Sequence, residues 1–275
     1  MSAFPTSEFL VLFGLALLGT LAVLPYSLAL SGDKLPQGKL PRPVMLLISV
    51  LQTAILMAIA IGVGLLAARP VGLGAPYLEA ALSGQAQPGS ILSLLPLALG
   101  LSVAVFLLIA LLERFIFAPH VPAAIRQADV KTQAWKRFLA SFYGGLGEEI
   151  LMRLFLVSGL VWLLGRFWTQ AGGMPAIGAY WTGIVLAAVL FGLGHLPTTK
   201  TLAPLTPALV ARAVVLNGIG GIAFGWLYWQ YGLEAAMISH FGADILIHLV
   251  GSRLLSPGEP AAASGEPLPP GDAHP

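Results

Sequence analysis

The sequence predicts an all-α, polytopic transmembrane helical bundle of about seven spans, with eight as the alternative count, and two observations lead there. Of 275 residues, 57% are hydrophobic and only 9% charged, and the mean hydropathy of +0.87 lies well above that of soluble proteins. Runs of about 20 apolar residues, enough to cross ~30 Å of hydrocarbon as helix, recur along almost the whole length.

The first run, 9–31, follows MSAFPTSE, which lacks the positive n-region of a signal peptide and reads as the lead-in to a retained helix. The second is 44–68. Pro70 to Gly89, with "APYLEAALSG", reads as a short interfacial helix or a re-entrant piece. The third span, 91–112, precedes a long fourth at 138–164, in which Gly144, Gly145 and Gly147 suggest a break. Three more follow at 176–196, 206–229 and 233–254. From 256 to 275 the chain is rich in Pro, Ala and Gly and too poor in large apolar residues to pack, which predicts a disordered tail. No internal repeat of fixed period is visible, nor a pair of broken helices of the kind that marks many transporters.

Charge orients the bundle. Lys34, Lys39 and Arg42 fill one loop, and Arg114, Arg126, Lys131, Lys136 and Arg137 fill 113–137, so both loops are expected in the cytoplasm, with the C-terminal tail on the same side. The net charge of +2 is this topology signal and makes no case for nucleic-acid binding. The absence of cysteine excludes disulfides, a thiol nucleophile and any sulfur-ligated zinc.

Ionisable groups in hydrocarbon cost several kcal/mol by insertion scales, on the order of +3 each, and so face an interior or a wet cavity where they have a task. They gather in the second half: Glu148, Glu149 and Arg153 in the fourth span, His195 ending the fifth, Arg212 and Asn217 in the sixth, and His240, Asp244 and His248 in the seventh. The organisation expected is therefore residues 1–134 as a three-span structural surround, 135–255 as a four-helix functional core, and 256–275 as tail.

Helical spacing assigns faces, because residues four apart are neighbours and adjacent ones diverge by about 100°. Glu149 can pair with Arg153, which leaves Glu148 unpaired by its local neighbours and available as a base. Phe191 and His195 share a face, as do His240 and Asp244, so that Asp244 is positioned to orient His240. From Arg137 to Glu148 is ~17 Å of helix, near the midplane, whereas His195 and His240 count to other depths, so convergence requires tilt. Amide hydrolysis needs a base for water, a donor for the oxyanion and an acid for the leaving amine, and one glutamate and two histidines suffice. No GxSxG and no HExxH is present.

"EEILMR" (Glu148, Glu149, Arg153), "FGLGH" (Phe191, His195) and "HFGAD" (His240, Asp244) together resemble the EExxxR, FxxxH and HxxxN/D motifs of the CPBP (Abi) family, which includes the type II CAAX prenyl endopeptidases and bacteriocin-processing or immunity proteins. The resemblance covers roughly 135–252. It implies an intramembrane endopeptidase in which Glu148 and His195 activate water, His240 and the residue four later stabilise the oxyanion, and Glu149 with Arg153 is a supporting pair. In the best-known CAAX proteases that later residue is asparagine; here it is Asp244, which if ionised repels an oxyanion. The substrate implied is a membrane-associated protein or peptide, and the composition points to a bacterial cytoplasmic membrane.

Two other readings stand beside this one. A metal-dependent protease would use a divalent ion such as zinc on His195, His240, Asp244 and Glu148, with His248 on the same helical face as Asp244. A non-catalytic peptide-immunity protein or transporter would need no intact Glu148. Plainer readings attach to single residues: His248 as a bystander, Arg212 as a snorkelling or lipid-facing cation, Asn217 as an interhelical hydrogen-bond former, and Trp168, Trp181, Tyr228 and Trp229 as an interfacial belt.

Overall fold

The computed structural model describes residues 4–31, 40–85, 90–125 and 132–251. Their helices are α1 (Thr6–Ser31), α2 (Arg42–Ala68), α3 (Pro76–Ser83), α4 (Leu95–Leu112), α5 (134–164), α6 (Ile177–Gly194), α7 (Leu196–Leu202), α8 (Pro207–Tyr231) and α9 (Leu233–Ile245, prolonged by π turns Leu246–Gly251). No strand occurs among the described residues, only an isolated bridge between Thr169 and Pro175. Proline in the first turn starts α2, α3, α7 and α8, where its missing N–H costs nothing. The Thr206 hydroxyl caps α8 by accepting from the Leu209 N–H at 3.3 Å.

Among the described residues, six helical stretches are long and apolar enough to cross a membrane: Thr6–Leu30, Arg42–Val71, Ile91–His120, Ile177–Leu202, Pro207–Tyr231 and Leu233–Gly251. α5 is the seventh, of spanning length at ~46 Å but carrying Glu148, Glu149 and Arg153 in its middle. The multi-pass bundle expected from the hydropathy is therefore present. Of the stretch expected at 70–89, residues 86–89 lie outside the described residues, and the rest holds the short helix α3, whose eight residues reach only ~12 Å and cannot span. The tail, and Lys34, Lys39, Arg126 and Lys131 of the basic loops, lie outside the described residues.

The break suggested at Gly144, Gly145 and Gly147 is not found. α5 runs on through π turns at Tyr143–Glu148 and Ile150–Val157, which loosen the helix without interrupting its hydrogen bonds. The glycines serve contact instead: a Cβ on Gly145 would sit 2.7 Å from Phe241 Cβ of α9. The same device joins α6 to α8, where Gly192 faces Val214 and Gly221 faces Ala188, each too close for a Cβ. Because these contacts run in opposite directions along the two helices, α6 and α8 are antiparallel.

One continuous core ties the first helices to the last. Leu12 and Ala16 of α1, Met57, Ile61 and Leu65 of α2, Ile150 and Leu154 of α5, Ile184 of α6, Phe224 of α8 and Ala236 of α9 are all buried in it. The Ser102 hydroxyl of α4 lies 2.8 Å from both the Ala98 and the Ser239 carbonyls, joining α4 to α9.

Four side chains depart from the expectations. Arg212 is not a lone cation; its Nε pairs with Glu113 Oε2 at 2.7 Å, a partner 99 residues away. Tyr228 is no belt residue: it is 1% exposed and its hydroxyl meets that of Ser158 at 2.7 Å. The Asn217 amide donates back to Ala213 O of its own helix at 2.8 Å rather than across to another. Glu8, expected in the lead-in ahead of the first span, lies in the first turn of α1, buried and ion-paired with Arg69 at 3.1 Å.

Candidate active site

α5, α6 and α9 bring the acidic and imidazole groups together within the bundle. Their proximity begins with Gly144, the residue of α5 that meets α9: a Cβ there would collide with the Asp244 carboxylate and lie 3.3 Å from His240 Nε2. Only glycine lets the two helices approach so far. One turn on, Glu148 presents Oε2 3.8 Å from His240 Nε2, with about a fifth of its side chain exposed. The separation is too long for a hydrogen bond and leaves both atoms able to bond one small molecule beside them.

Glu149 has the opposite environment. Fully buried, its Oε1 lies 2.6 Å from His240 Nδ1 and 2.9 Å from Arg153 Nη1. A carboxylate accepts only, so Nδ1 carries the hydrogen and donates it. The Arg153 contact is close but not aligned as a hydrogen bond, Nη1 having no hydrogen-bond partner. Arg153 Nη2 donates instead to the Gly220 and Gly221 carbonyls of α8, each at 3.2 Å. Its guanidinium carbon lies 5.7 Å from the Phe191 ring and 5.6 Å from the Phe224 ring, within cation–π range of both. Phe224 also stacks on His240 at 4.8 Å and 25°. The imidazole is thus pinned by a hydrogen bond at one nitrogen and by a ring on its face.

The other nitrogen, Nε2, lies between two carboxyl groups, Glu148 at 3.8 Å and Asp244 Oδ1 at 3.6 Å. Sequence spacing offered Asp244 as the group that orients His240. The hydrogen bond that does so comes from Glu149, 91 residues away, and Asp244 stands beyond hydrogen-bond distance, at ion-pair range of Nε2.

His195 ends α6 half-buried, its ring edge-on to Phe191 at 4.7 Å and its Nδ1 2.8 Å from the Phe191 carbonyl. Because a carbonyl oxygen only accepts, Nδ1 again holds the hydrogen, and Nε2 of the neutral ring keeps a lone pair. His195 is within electrostatic reach of Glu148, as are His240, Asp244 and Glu149. The differing depths counted from sequence are thus reconciled by the packing.

His248 follows on the same element as His240 and Asp244. The chain widens into π turns from Leu246, which shifts it out of the register that a spacing of four implies, and its ring lies 5.8 Å from that of Tyr26 on α1. Among the described residues, no three His, Cys, Asp or Glu side chains are gathered as a metal ion requires.

Two neighbours escaped the sequence reading. Phe224 contacts both His240 and Arg153, and Tyr143 is within electrostatic reach of Glu148. An aromatic residue inside an apolar span carries no signal of such a role. Chemically, the cluster offers a carboxylate open to water, a pinned imidazole whose free nitrogen points to the same place, and a second imidazole with a lone pair.

Residues 130–246 match the family model described as type II CAAX prenyl endopeptidase Rce1-like. All seven residues of the three motifs, from Glu148 to Asp244, fall inside that match. No curated protein and no solved structure matches the chain.

Proposed function

Because residues 130–246 match the type II CAAX prenyl endopeptidase Rce1-like family model, we propose that the protein is an intramembrane endopeptidase that hydrolyses a peptide bond of a membrane-associated protein or peptide. The observation that carries the reading is the division of labour between adjacent glutamates. Glu149 is consumed by His240 and Arg153, while Glu148, with no hydrogen-bond donor among the described residues, remains open beside His240 Nε2. A carboxylate held this way is suited to take a proton from water.

In the proposed reaction Glu148 accepts a proton from a water molecule, with His195 Nε2 accepting the water's second hydrogen bond, and the oxygen attacks the scissile carbonyl carbon. The carbonyl π electrons move to oxygen. His240, held by Glu149, turns a protonated Nε2 toward that oxyanion, where a preorganised donor is worth ~3 kcal/mol. Collapse of the tetrahedral intermediate breaks the C–N bond, and the proton taken by Glu148 passes to the leaving amine, so water is consumed and carboxylate and amine are released. Asp244 flanks the donor, and Glu149 and Arg153 are positioning residues that touch no reacting atom. These roles draw on protein groups alone.

The orientation proposed places the C-terminal end and both basic loops in the cytoplasm, following Arg42, Arg114, Lys136 and Arg137 at one end of the bundle, with substrate entering from that side of a cell membrane.

The test is cleavage of a membrane-peptide library by purified protein in nanodiscs, wild type against Glu148→Gln, with and without chelator. We expect chelator-resistant cleavage that falls by ~10²–10⁴-fold in the variant. Chelator-sensitive cleavage, restored by one divalent metal such as zinc, would move the reaction onto a bound ion. No cleavage by folded wild type, with Glu148→Gln still complementing a deletion strain, would replace catalysis with peptide binding or transport.

A further inference from the structure

The opposite end of the bundle holds two cavities that the reaction does not use. They open where α1 and α9 begin and α2 and α8 end, whereas His195 closes the other end of α6. The first, of about 490 Å³, is lined almost wholly by apolar groups, including Leu12 and Leu15 of α1, Ala81 of α3, Ile91 and Met237. The second, of about 550 Å³, has charged and aromatic walls: Arg69, Glu79, Trp229 and Tyr231 among them. Both volumes lie within the roughly 300–1,000 Å³ of pockets that take small molecules.

The two cavities meet. Tyr77 lines both. Gly232, with its backbone at φ +92°, lines the polar cavity, and the Cβ it lacks would come within 3.1 Å of Oε2 of Glu234, which lines the apolar one. Glu234 Oε1 is occupied by the Leu78 N–H at 2.8 Å, but Oε2 is buried with no hydrogen-bond partner. A spare buried acceptor at the junction is an unmet demand for a donor.

Charge in the polar cavity is of both signs. Arg69 holds Glu8 through Nη2 at 3.1 Å, yet its side chain is 42% exposed and its remaining donors are available to an anion. Glu79 supplies a carboxylate, and the rings of Tyr77, Trp229 and Tyr231 supply aromatic walls of the kind that receive an ammonium group.

From this complementarity we propose that the paired cavities bind one zwitterionic phospholipid, its acyl chain in the apolar cavity, its phosphate on Arg69, and its headgroup ammonium between Glu79, Glu234 and the aromatic wall. An anionic headgroup without an amine meets the glutamates with nothing to offer them. A fatty chain alone leaves Glu234 Oε2 and the polar cavity unfilled.

The experiment uses the full chain, purified, delipidated by detergent exchange and incubated with palmitoyl-oleoyl phosphatidylethanolamine, phosphatidylcholine or phosphatidylglycerol, with retained lipid counted by native mass spectrometry. We expect one lipid per chain, with ethanolamine or choline headgroups retained at least about fivefold over glycerol, a difference of ~1 kcal/mol. Preference for ethanolamine over choline assigns the ammonium to carboxylate hydrogen bonds, and parity between them assigns it to the aromatic wall. Both support the site. Glu79→Gln should erase the headgroup preference and Ala81→Trp, which fills the apolar cavity, should abolish retention, while both variants keep the wild-type elution volume and thermal midpoint. Equal retention of all three lipids, preference for phosphatidylglycerol, or wild-type binding by both variants would overturn the assignment.

Discussion

Replacing Glu149 by glutamine tests whether the buried carboxylate is structural, and the structure sets the size of the effect. At 2.9 Å from Arg153 Nη1, the Coulomb attraction is about 6 kcal/mol at an effective dielectric constant of ~20. That figure is a ceiling, because the contact is not aligned and both ions have been taken out of water. Removing one member of a buried pair costs ~3–5 kcal/mol, chiefly from the charge left uncompensated. Arg153 keeps the Gly220 and Gly221 carbonyls, so the expected loss is at the low end, ~3 kcal/mol. Glutamine still offers an oxygen to His240 Nδ1–H, which separates the charge from the hydrogen bond. The assay is equilibrium unfolding by dodecyl sulfate in mixed micelles, followed by far-UV circular dichroism and by the fluorescence of the six tryptophans. Adding Arg153→Met to the same background should return most of the loss, with a coupling of about 2–3 kcal/mol between the sites. A loss under ~1 kcal/mol, or strictly additive effects, would refute the claim that the pair is a buried, energetically linked unit.

Two further substitutions probe the contact of α5 with α9. Asp244→Asn should leave cleavage within about threefold of wild type or raise it, since an amide can donate where a carboxylate repels an oxyanion; a loss beyond about tenfold in kcat/KM would show that the charge is used. Gly144→Ala drives a methyl group into the Asp244 carboxylate and toward His240, and should cost ~1–3 kcal/mol in the same unfolding assay together with most of the cleavage activity. Wild-type behaviour in both measurements would mean that the helices yield freely there.

The parts of this fold that a sequence displays are those set by the chain's immediate surroundings. Hydropathy located six of the spans within a few residues, because lipid imposes one requirement on every residue of a helix that faces it. α5 was legible for the inverse reason, its charges standing out against an apolar run. Pairings between distant segments were not legible. Arg212 looked like a lone cation because Glu113 lies 99 residues earlier, and Tyr228 looked interfacial because Ser158, which takes its hydroxyl, lies 70 residues away. The π turns of α5 left no trace either, since a helix that widens by one residue per turn keeps the composition of one that does not.

The candidate site divides along the same line, and the division bears on how such sites are read. A spacing of four correctly joined Glu149 to Arg153 and Phe191 to His195, since each pair lies on one face of one helix. Applied to His240 it chose Asp244, the nearest acid on its own helix, whereas the hydrogen bond comes from Glu149 on another. The bundle geometry explains the choice. A side chain four residues along points parallel to its neighbour, which suits side-by-side contact; a ligand for the buried nitrogen of a ring that projects into the core has to come from the helix opposite. In an intramembrane site built from facing helices, local spacing therefore finds which residues stand together on a face, and the group that orients each imidazole is to be sought across the bundle. Glu149 fits that description because Gly144 and Gly145, one turn earlier, bring its helix close enough to reach.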